Sequence, residues 1–232
     1  MLQFIKKRVT AMYDKIKSYL SKETRQKNLY VVTVCMFVFL VLEKLLSGLS
    51  LSSLTADFTL VFSLGLSDVV CLVVYITVTL LLILKVRYKF ILLPDSVLFS
   101  VKLYALATAV IKLVSAPKIG LLTELSLIES VTEGFFFALF LTVLFIGKLT
   151  SNKKAKHTAP VVCLAILALC LPATVAFEVI KVFVEESVYN FPVSVEIFLF
   201  AKGVANEIFL DLPYALLVLL MFFVPQKNDT TA

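Results

Sequence analysis

Residues 198–223, "FLFAKGVANEIFLDLPYALLVLLMFF", have the composition of a membrane-spanning helix with a charged first half. The last eleven residues carry no charge, whereas the first half contains Lys202, Glu207 and Asp211. A helix crosses the hydrocarbon core with about 20 mainly apolar residues, so this stretch is long enough to span a bilayer. Charge exposed to lipid tails is costly, and the charged half therefore predicts a polar surface shared with other helices.

The whole chain has the composition of an integral membrane protein. Of its 232 residues, 60% are hydrophobic and 16% are charged, shares that exclude an ordinary soluble domain. We predict an all-α fold with one six-helix transmembrane domain over residues 28–226. Residues 49–65 are expected either to extend the second helix outward or to form a short re-entrant or interfacial piece. The long apolar stretches place the spans near 29–48, 66–84, 97–116, 124–147, 160–183 and 194–224.

The distribution of Lys and Arg predicts the orientation of these spans. Sixteen of the 22 lie before the first span or after the second, fourth and sixth spans, and the loops on the other side hold only Lys118. The positive-inside rule therefore places both termini in the cytoplasm, with residues 227–232 as a short tail. We expect a multi-pass protein of the cell membrane, with the first span as an uncleaved anchor. The positive net charge is explained by topology, so no nucleic-acid partner is expected.

Residues 1–27 predict a basic amphipathic helix. Apolar residues recur at alternating spacings of three and four, with lysines between them. Such a helix is typical of one that lies on an anionic lipid leaflet, and the alternative is docking onto a cytoplasmic or membrane partner subunit. The predicted apolar stripe consists of Leu2, Ile5, Val9, Met12, Ile16 and Tyr19.

Charged side chains of all six spans fall at similar depths near the outer face. Seven acids face only three lysines in this predicted layer, so some carboxyl groups must be protonated, hydrated or bound to a cationic ligand. We expect Glu129, Glu133, Glu207 and Asp211 to bind a solute, Lys112 and Lys181 to balance charge, and Tyr214 to form the floor. Helical spacing further predicts a pair between Glu178 and Lys181. The remaining candidates for this site are Glu43, Lys44 and Asp68.

A weak repeat accompanies this layer. Lys44, Lys112 and Lys181 stand at the outer ends of the odd-numbered spans and are 68 and 69 residues apart. The spacing suggests three related helical hairpins. The alternative is that each lysine simply reaches the outer headgroups.

Catalytic and metal-binding motifs are incomplete or missing in the sequence. "GLSD", residues 65–68, resembles the G-x-G-D element of intramembrane aspartyl proteases, which would make Asp68 a catalytic acid with Glu43 or Asp211 as its partner. The four cysteines stand in hydrophobic runs and are expected to be buried free thiols. The single histidine, His157, has no partner for a metal site nearby in sequence. We expect a protein that is not an enzyme and holds no metal or cofactor.

In size, helix number, cytoplasmic termini and outward site, the chain resembles the substrate-binding S components of energy-coupling-factor importers. The resemblance implies an uptake subunit that binds a small cationic or zwitterionic solute, or an ion, from outside. The alternative function is a non-transporting membrane scaffold or partner subunit, whose charged layer is an internal salt-bridge network. The aspartyl protease is a distant third.

Overall fold

The computed structural model describes residues 2–47, 49–52, 59–62, 64–85, 91–115, 120–189 and 193–224. Helices dominate, and one short antiparallel hairpin lies between the second and third helices. The elements, in chain order, are α1 Leu2–Tyr19, α2 Glu23–Ser47, β1 Leu49–Ser52, β2 Thr59–Phe62, α3 Leu66–Ile83, α4 Leu92–Ser115, α5 Leu121–Leu149, α6 Lys153–Tyr189 and α7 Val193–Phe223.

Six of these helices are long and apolar enough to cross a membrane, as the sequence predicts. The helical, multi-pass class is therefore confirmed. The helices overlap the predicted spans, and several extend further, most clearly α6, which begins at Lys153. The spanning stretches are Glu23–Leu46, Leu66–Ile83, Leu92–Ser115, Thr123–Leu149, Lys153–Val184 and Gly203–Phe223.

Proline does not end the helices in which it occurs. Pro172 lies inside α6 and Pro213 inside α7, and both helices continue through them. Proline is tolerated in a membrane helix because packing against neighbouring helices compensates for the missing hydrogen bond. Pro192 lies outside the described residues.

The hairpin lies in the segment for which we predict either an outward extension of the second span, which is α3, or a short re-entrant or interfacial piece. The extension does not form, since α3 begins at Leu66. Leu49 pairs with Phe62 and Ser52 with Thr59 in the antiparallel register. "LSLS", the sequence of β1, alternates apolar and polar side chains with the period of a strand. Residues 53–58, which join the two strands, are not among the described ones.

The chain forms two compact units, of which one comprises Lys27–Val101. Its α2 and α3 run antiparallel, since the Tyr30 hydroxyl near the start of α2 donates a hydrogen bond to the carbonyl of Leu82 near the end of α3. That carbonyl belongs to the last turn of α3 and also accepts a hydrogen bond from the backbone N–H of Lys85 at 2.9 Å. The buried core of this unit includes Phe37, Leu40, Val74, Tyr75, Val78, Leu82, Ile91 and Leu98.

The other unit comprises Met1–Gln26 and Lys102–Ala232. Within it, α5 packs against α6, and α6 packs against both α7 and α1. The three spanning helices come close together at Gly147, where an added Cβ would lie 2.4 Å from the Cβ of Ala159 and 3.2 Å from the ring of Phe222. Glycine is therefore required for this crossing. The nearby core includes Phe140, Leu141, Leu144, Cys163, Leu217, Val218 and Leu220.

The helix α1 docks on the same end of this unit. The Tyr13 ring lies 4.4 Å from the His157 ring, near the start of α6, and 4.8 Å from the Phe223 ring, at the end of α7. Burial, with a smaller contribution from the Asp14 carboxylate, raises the pKa of Tyr13 above its ordinary value, so the phenol stays neutral. One end of the bundle thus contains α1, the start of α6 and the end of α7.

The buried face of α1 differs from the predicted stripe. Tyr13 and Leu20 are buried, whereas Met12 and Tyr19, two members of the predicted stripe, are 48% and 60% exposed. One helical face runs through positions 9, 13, 16 and 20, and tertiary packing selects it over the adjacent face. A similar correction applies to Cys35, which is exposed, whereas the other three free cysteines are buried as expected.

Candidate functional site

Facing sides of α5 and α6 carry the polar residues that converge in this unit. On α5, Glu129 and Glu133 are one turn apart on the same side of the helix, and the residues that follow on that side belong to the apolar core. On α6, Glu178 and Lys181 follow the buried Thr174 at helical spacing. Residues three or four apart lie on one side of a helix, so the charged residues of each helix share a side with its apolar residues.

Lys181 joins two of these helices. Its ammonium group contacts the Glu129 carboxylate of α5 and, at 3.2 Å, Oε1 of Glu178 on its own helix. The three side chains are 22%, 11% and 17% exposed in the order Lys181, Glu129, Glu178, so solvent reaches them only in part. We call these three residues the ion triad. It contains the pair that helical spacing predicts and adds a carboxylate from a second helix.

The third helix meets the triad at a glycine. A Cβ placed on Gly203 of α7 would lie 2.5 Å from Cδ and Oε2 of Glu178. No side chain fits there unless the carboxylate moves. The backbone of α7 therefore lies against the carboxylate of Glu178, and all three helices meet at the level of the triad.

The two close contacts of this bundle mark opposite ends. Gly147 and Glu129 are 18 residues apart on α5, which corresponds to about 27 Å. Ala159 and Glu178 on α6 have nearly the same separation, as do Phe222 and Gly203 on α7. Because the separation is nearly equal on all three helices, the bundle has one end where α1 docks and an opposite end that contains the triad.

An aromatic cluster lies between these ends. Tyr214 is buried, and its ring packs edge-on against Phe137 at 5.0 Å and Phe140 at 5.9 Å. The Lys102 ammonium lies 5.4 Å from the centre of the Phe137 ring, an arrangement typical of a cation–π contact. Tyr214 is eleven residues from Gly203, so it lies about 16 Å from the triad level along α7.

The other predicted ligands have different positions. Asp211 is half-buried on α7, one turn before Tyr214, and Glu133 is half-buried on α5, one turn from Glu129. Lys112 is exposed near the end of α4, and within the described part of the chain no ion pair joins it to the triad. Glu207 lies in α7, but its side chain is outside the described part.

The unit Lys27–Val101 contains the remaining three candidates. The Lys44 ammonium lies 3.5 Å from Oδ1 of Asp68, so the end of α2 is paired with the first turn of α3. Glu43, next to Lys44, is half-buried, and its Oε2 is buried without a hydrogen-bond partner among the residues described.

Comparison with protein-family models, with curated proteins and with solved structures finds no match to this chain. Over the described residues, no group of three or more His, Cys, Asp or Glu side chains is arranged to hold a metal ion.

Proposed function

We propose that this protein is a polytopic protein of the cell membrane that binds a small cationic or zwitterionic solute, or an ion, and serves in its uptake. The observation that supports this function is the convergence of Glu129 and Glu178 on the single ammonium of Lys181. Two carboxylates against one ammonium give the triad a formal negative charge. Such a site favours a further cation within reach.

The orientation of the proposed site follows from the charges at the opposite end of the bundle. Lys148 at the end of α5 and Lys153 and Lys154 at the start of α6 belong to the end on which α1 docks, and α1 is itself rich in lysine. The positive-inside rule assigns that end to the cytoplasm together with both termini. The triad then lies at the outer end, where a solute would arrive from outside.

The triad also suggests how a solute would be recognised. An ammonium group of the solute would lie between carboxylates, as the Lys181 ammonium lies between those of Glu129 and Glu178. A zwitterion would in addition place its own carboxylate on Lys181. Because the triad is largely shielded from water, its charges attract one another and a ligand more strongly than they would at a free surface.

Thermal unfolding of the detergent-solubilised protein tests this proposal with choline, glycine betaine and sodium chloride as probes at equal ionic strength. We expect at least one probe to raise the Tm of the wild type, and Glu129→Gln to abolish that rise. Glu124→Gln is the matched control, since Glu124 lies on the same helix outside the triad and should keep the rise. Binding that survives Glu129→Gln unchanged would falsify the assignment of the site.

A chemical-rescue experiment tests the same site without its natural ligand. Lys181→Ala removes the resident ammonium and leaves Glu129 and Glu178 without it. We expect ethylammonium chloride to raise the Tm of this variant more than sodium chloride of equal concentration does. In the wild type, in which Lys181 remains, the difference should be smaller.

One observation favours the scaffold as the second candidate. The Glu178 carboxylate is held between Lys181 and the backbone of Gly203, an arrangement that also suits a network fixing the register of three helices. A scaffold predicts that Glu129→Gln lowers the Tm while no probe changes it in either protein. The two functions therefore give different results in the same measurement.

A further inference from the structure

The docked helix α1 presents a second face away from α6 and α7. Met12, Lys15 and Tyr19 lie at positions i, i+3 and i+7, so they share one side of the helix. All three are exposed, Met12 at 48% and Tyr19 at 60%. Large apolar side chains beside a lysine, adjacent to the buried face of Tyr13, are typical of an interfacial helix.

The connection to α2 places this face at the level where a membrane span begins. The Arg25 side chain donates a hydrogen bond to the carbonyl of Tyr19 and stacks over its ring, and Gln26 donates to the carbonyl of Leu20. The spanning stretch of α2 starts at Glu23. The end of α1 is therefore fixed to the first turns of a spanning helix, where headgroups would surround it.

The charge of this segment indicates the kind of surface it meets. Residues 1–27 contain eight Lys and Arg residues against Asp14 and Glu23, a formal surplus of six positive charges. Each basic residue near an anionic leaflet adds to binding, and apolar side chains on the same face insert at the boundary of headgroups and acyl chains.

We infer that α1 is a lipid-binding helix. One of its faces docks on the bundle, and the face of Met12, Lys15 and Tyr19 binds an anionic lipid surface. The face that binds lipid is distinct from the face of Tyr13 and Leu20, because protein already covers the latter. This surface is independent of the proposed solute site at the other end of the bundle.

The absence of tryptophan from the sequence allows a direct test. Met12→Trp introduces a single reporter into the lipid-facing side of the full-length protein, and Lys17→Trp introduces one on the opposite side of α1. Both variants are reconstituted into vesicles that contain equal mole fractions of phosphatidylcholine and phosphatidylglycerol. In one set of vesicles the phosphatidylcholine is brominated, and in the other set the phosphatidylglycerol is brominated. We expect brominated lipid to quench the tryptophan fluorescence of Met12→Trp, and brominated phosphatidylglycerol to quench it more strongly than brominated phosphatidylcholine does. Acrylamide in the water phase should quench the fluorescence of Lys17→Trp.

Charge selectivity is tested by adding Lys15→Gln or Lys17→Gln to the Met12→Trp variant. Each removes one positive charge, but only Lys15 lies on the proposed face, so only Lys15→Gln should reduce the preference for phosphatidylglycerol. Quenching of Met12→Trp by acrylamide and not by brominated lipid would overturn the inference, because the face would then be in water and open to a protein partner. Equal quenching by the two brominated lipids would overturn the anionic selectivity.

Discussion

The carboxylate of Glu178 lies against the backbone of Gly203, one helix away, where an added Cβ would come within 2.5 Å of it. An ionised group in a spanning helix is costly unless it is paired or hydrated. Here it is paired with Lys181 and covered by a helix that has no side chain at the point of contact. The glycine therefore allows α7 to close over the triad.

Gly203→Ala should lower the free energy of unfolding, because the new methyl group must displace the Glu178 carboxylate. Overpacking of this kind costs about 1–3 kcal/mol. Gly120→Ala is the control, since nothing lies within 4 Å of its Cβ position. In a Glu178→Ala background the sign should reverse, because alanine exceeds glycine in helix propensity by about 1 kcal/mol once the clash is gone. A loss of stability that persists in that background would contradict the contact.

Lys181→Met should destabilise the protein because it leaves two carboxylates without their ammonium. A fully buried pair costs about 3–5 kcal/mol to break. Partial exposure of the triad reduces the expected loss to about 1–3 kcal/mol, the cost of an unsatisfied buried group.

The matched control for this prediction is Lys112→Met, which removes an exposed lysine. Adding Glu129→Gln and Glu178→Gln to Lys181→Met should recover much of the lost stability, because no uncompensated charge remains. Thermal unfolding of the variants measures both effects. Equal losses for Lys112→Met and Lys181→Met would show that the triad has no special role.

Local spacing explains which parts of the site the sequence predicts. Glu178 and Lys181 are three residues apart on one helix, so their pair follows from helical geometry alone. The contact of Lys181 with Glu129 and that of Glu178 with Gly203 join different helices. They depend on how α5, α6 and α7 pack, which one sequence does not specify. Gly203 is nonetheless visible in the sequence as a glycine amid charged residues.

Hydropathy predicts the helices of the fold well, because about 20 apolar residues are required of any spanning helix. Hydropathy says less about short strands and about helices with apolar residues on two faces. "LSLS" is only four residues long, so its strand periodicity is a weak signal beside the helix that precedes it. In α1, two adjacent faces both contain apolar residues, and only the contact of Tyr13 with His157 and Phe223 distinguishes them. The three-hairpin repeat stays a prediction.

Tyr30→Phe should weaken the unit that contains α2 and α3. The Tyr30 hydroxyl donates its hydrogen bond to the carbonyl of Leu82, and removing one such bond costs about 0.5–1.5 kcal/mol. Tyr104→Phe removes a hydroxyl from a residue that is 75% exposed, and should leave stability unchanged. Hydrogen exchange of the last turn of α3 measures the effect locally. Faster exchange there in Tyr30→Phe alone is the expected result.

Gly147→Ala should separate α5 from α6 and α7 at the end of the bundle where α1 docks. Its Cβ would lie 2.4 Å from the Cβ of Ala159, which has no rotamer by which to move away. The backbone must therefore shift, and we expect a loss of about 1–3 kcal/mol in thermal unfolding. Ala159→Gly removes the obstructing methyl group and should restore part of the stability in the double variant. If the two substitutions are simply additive, the helices do not cross here as closely as the structure shows.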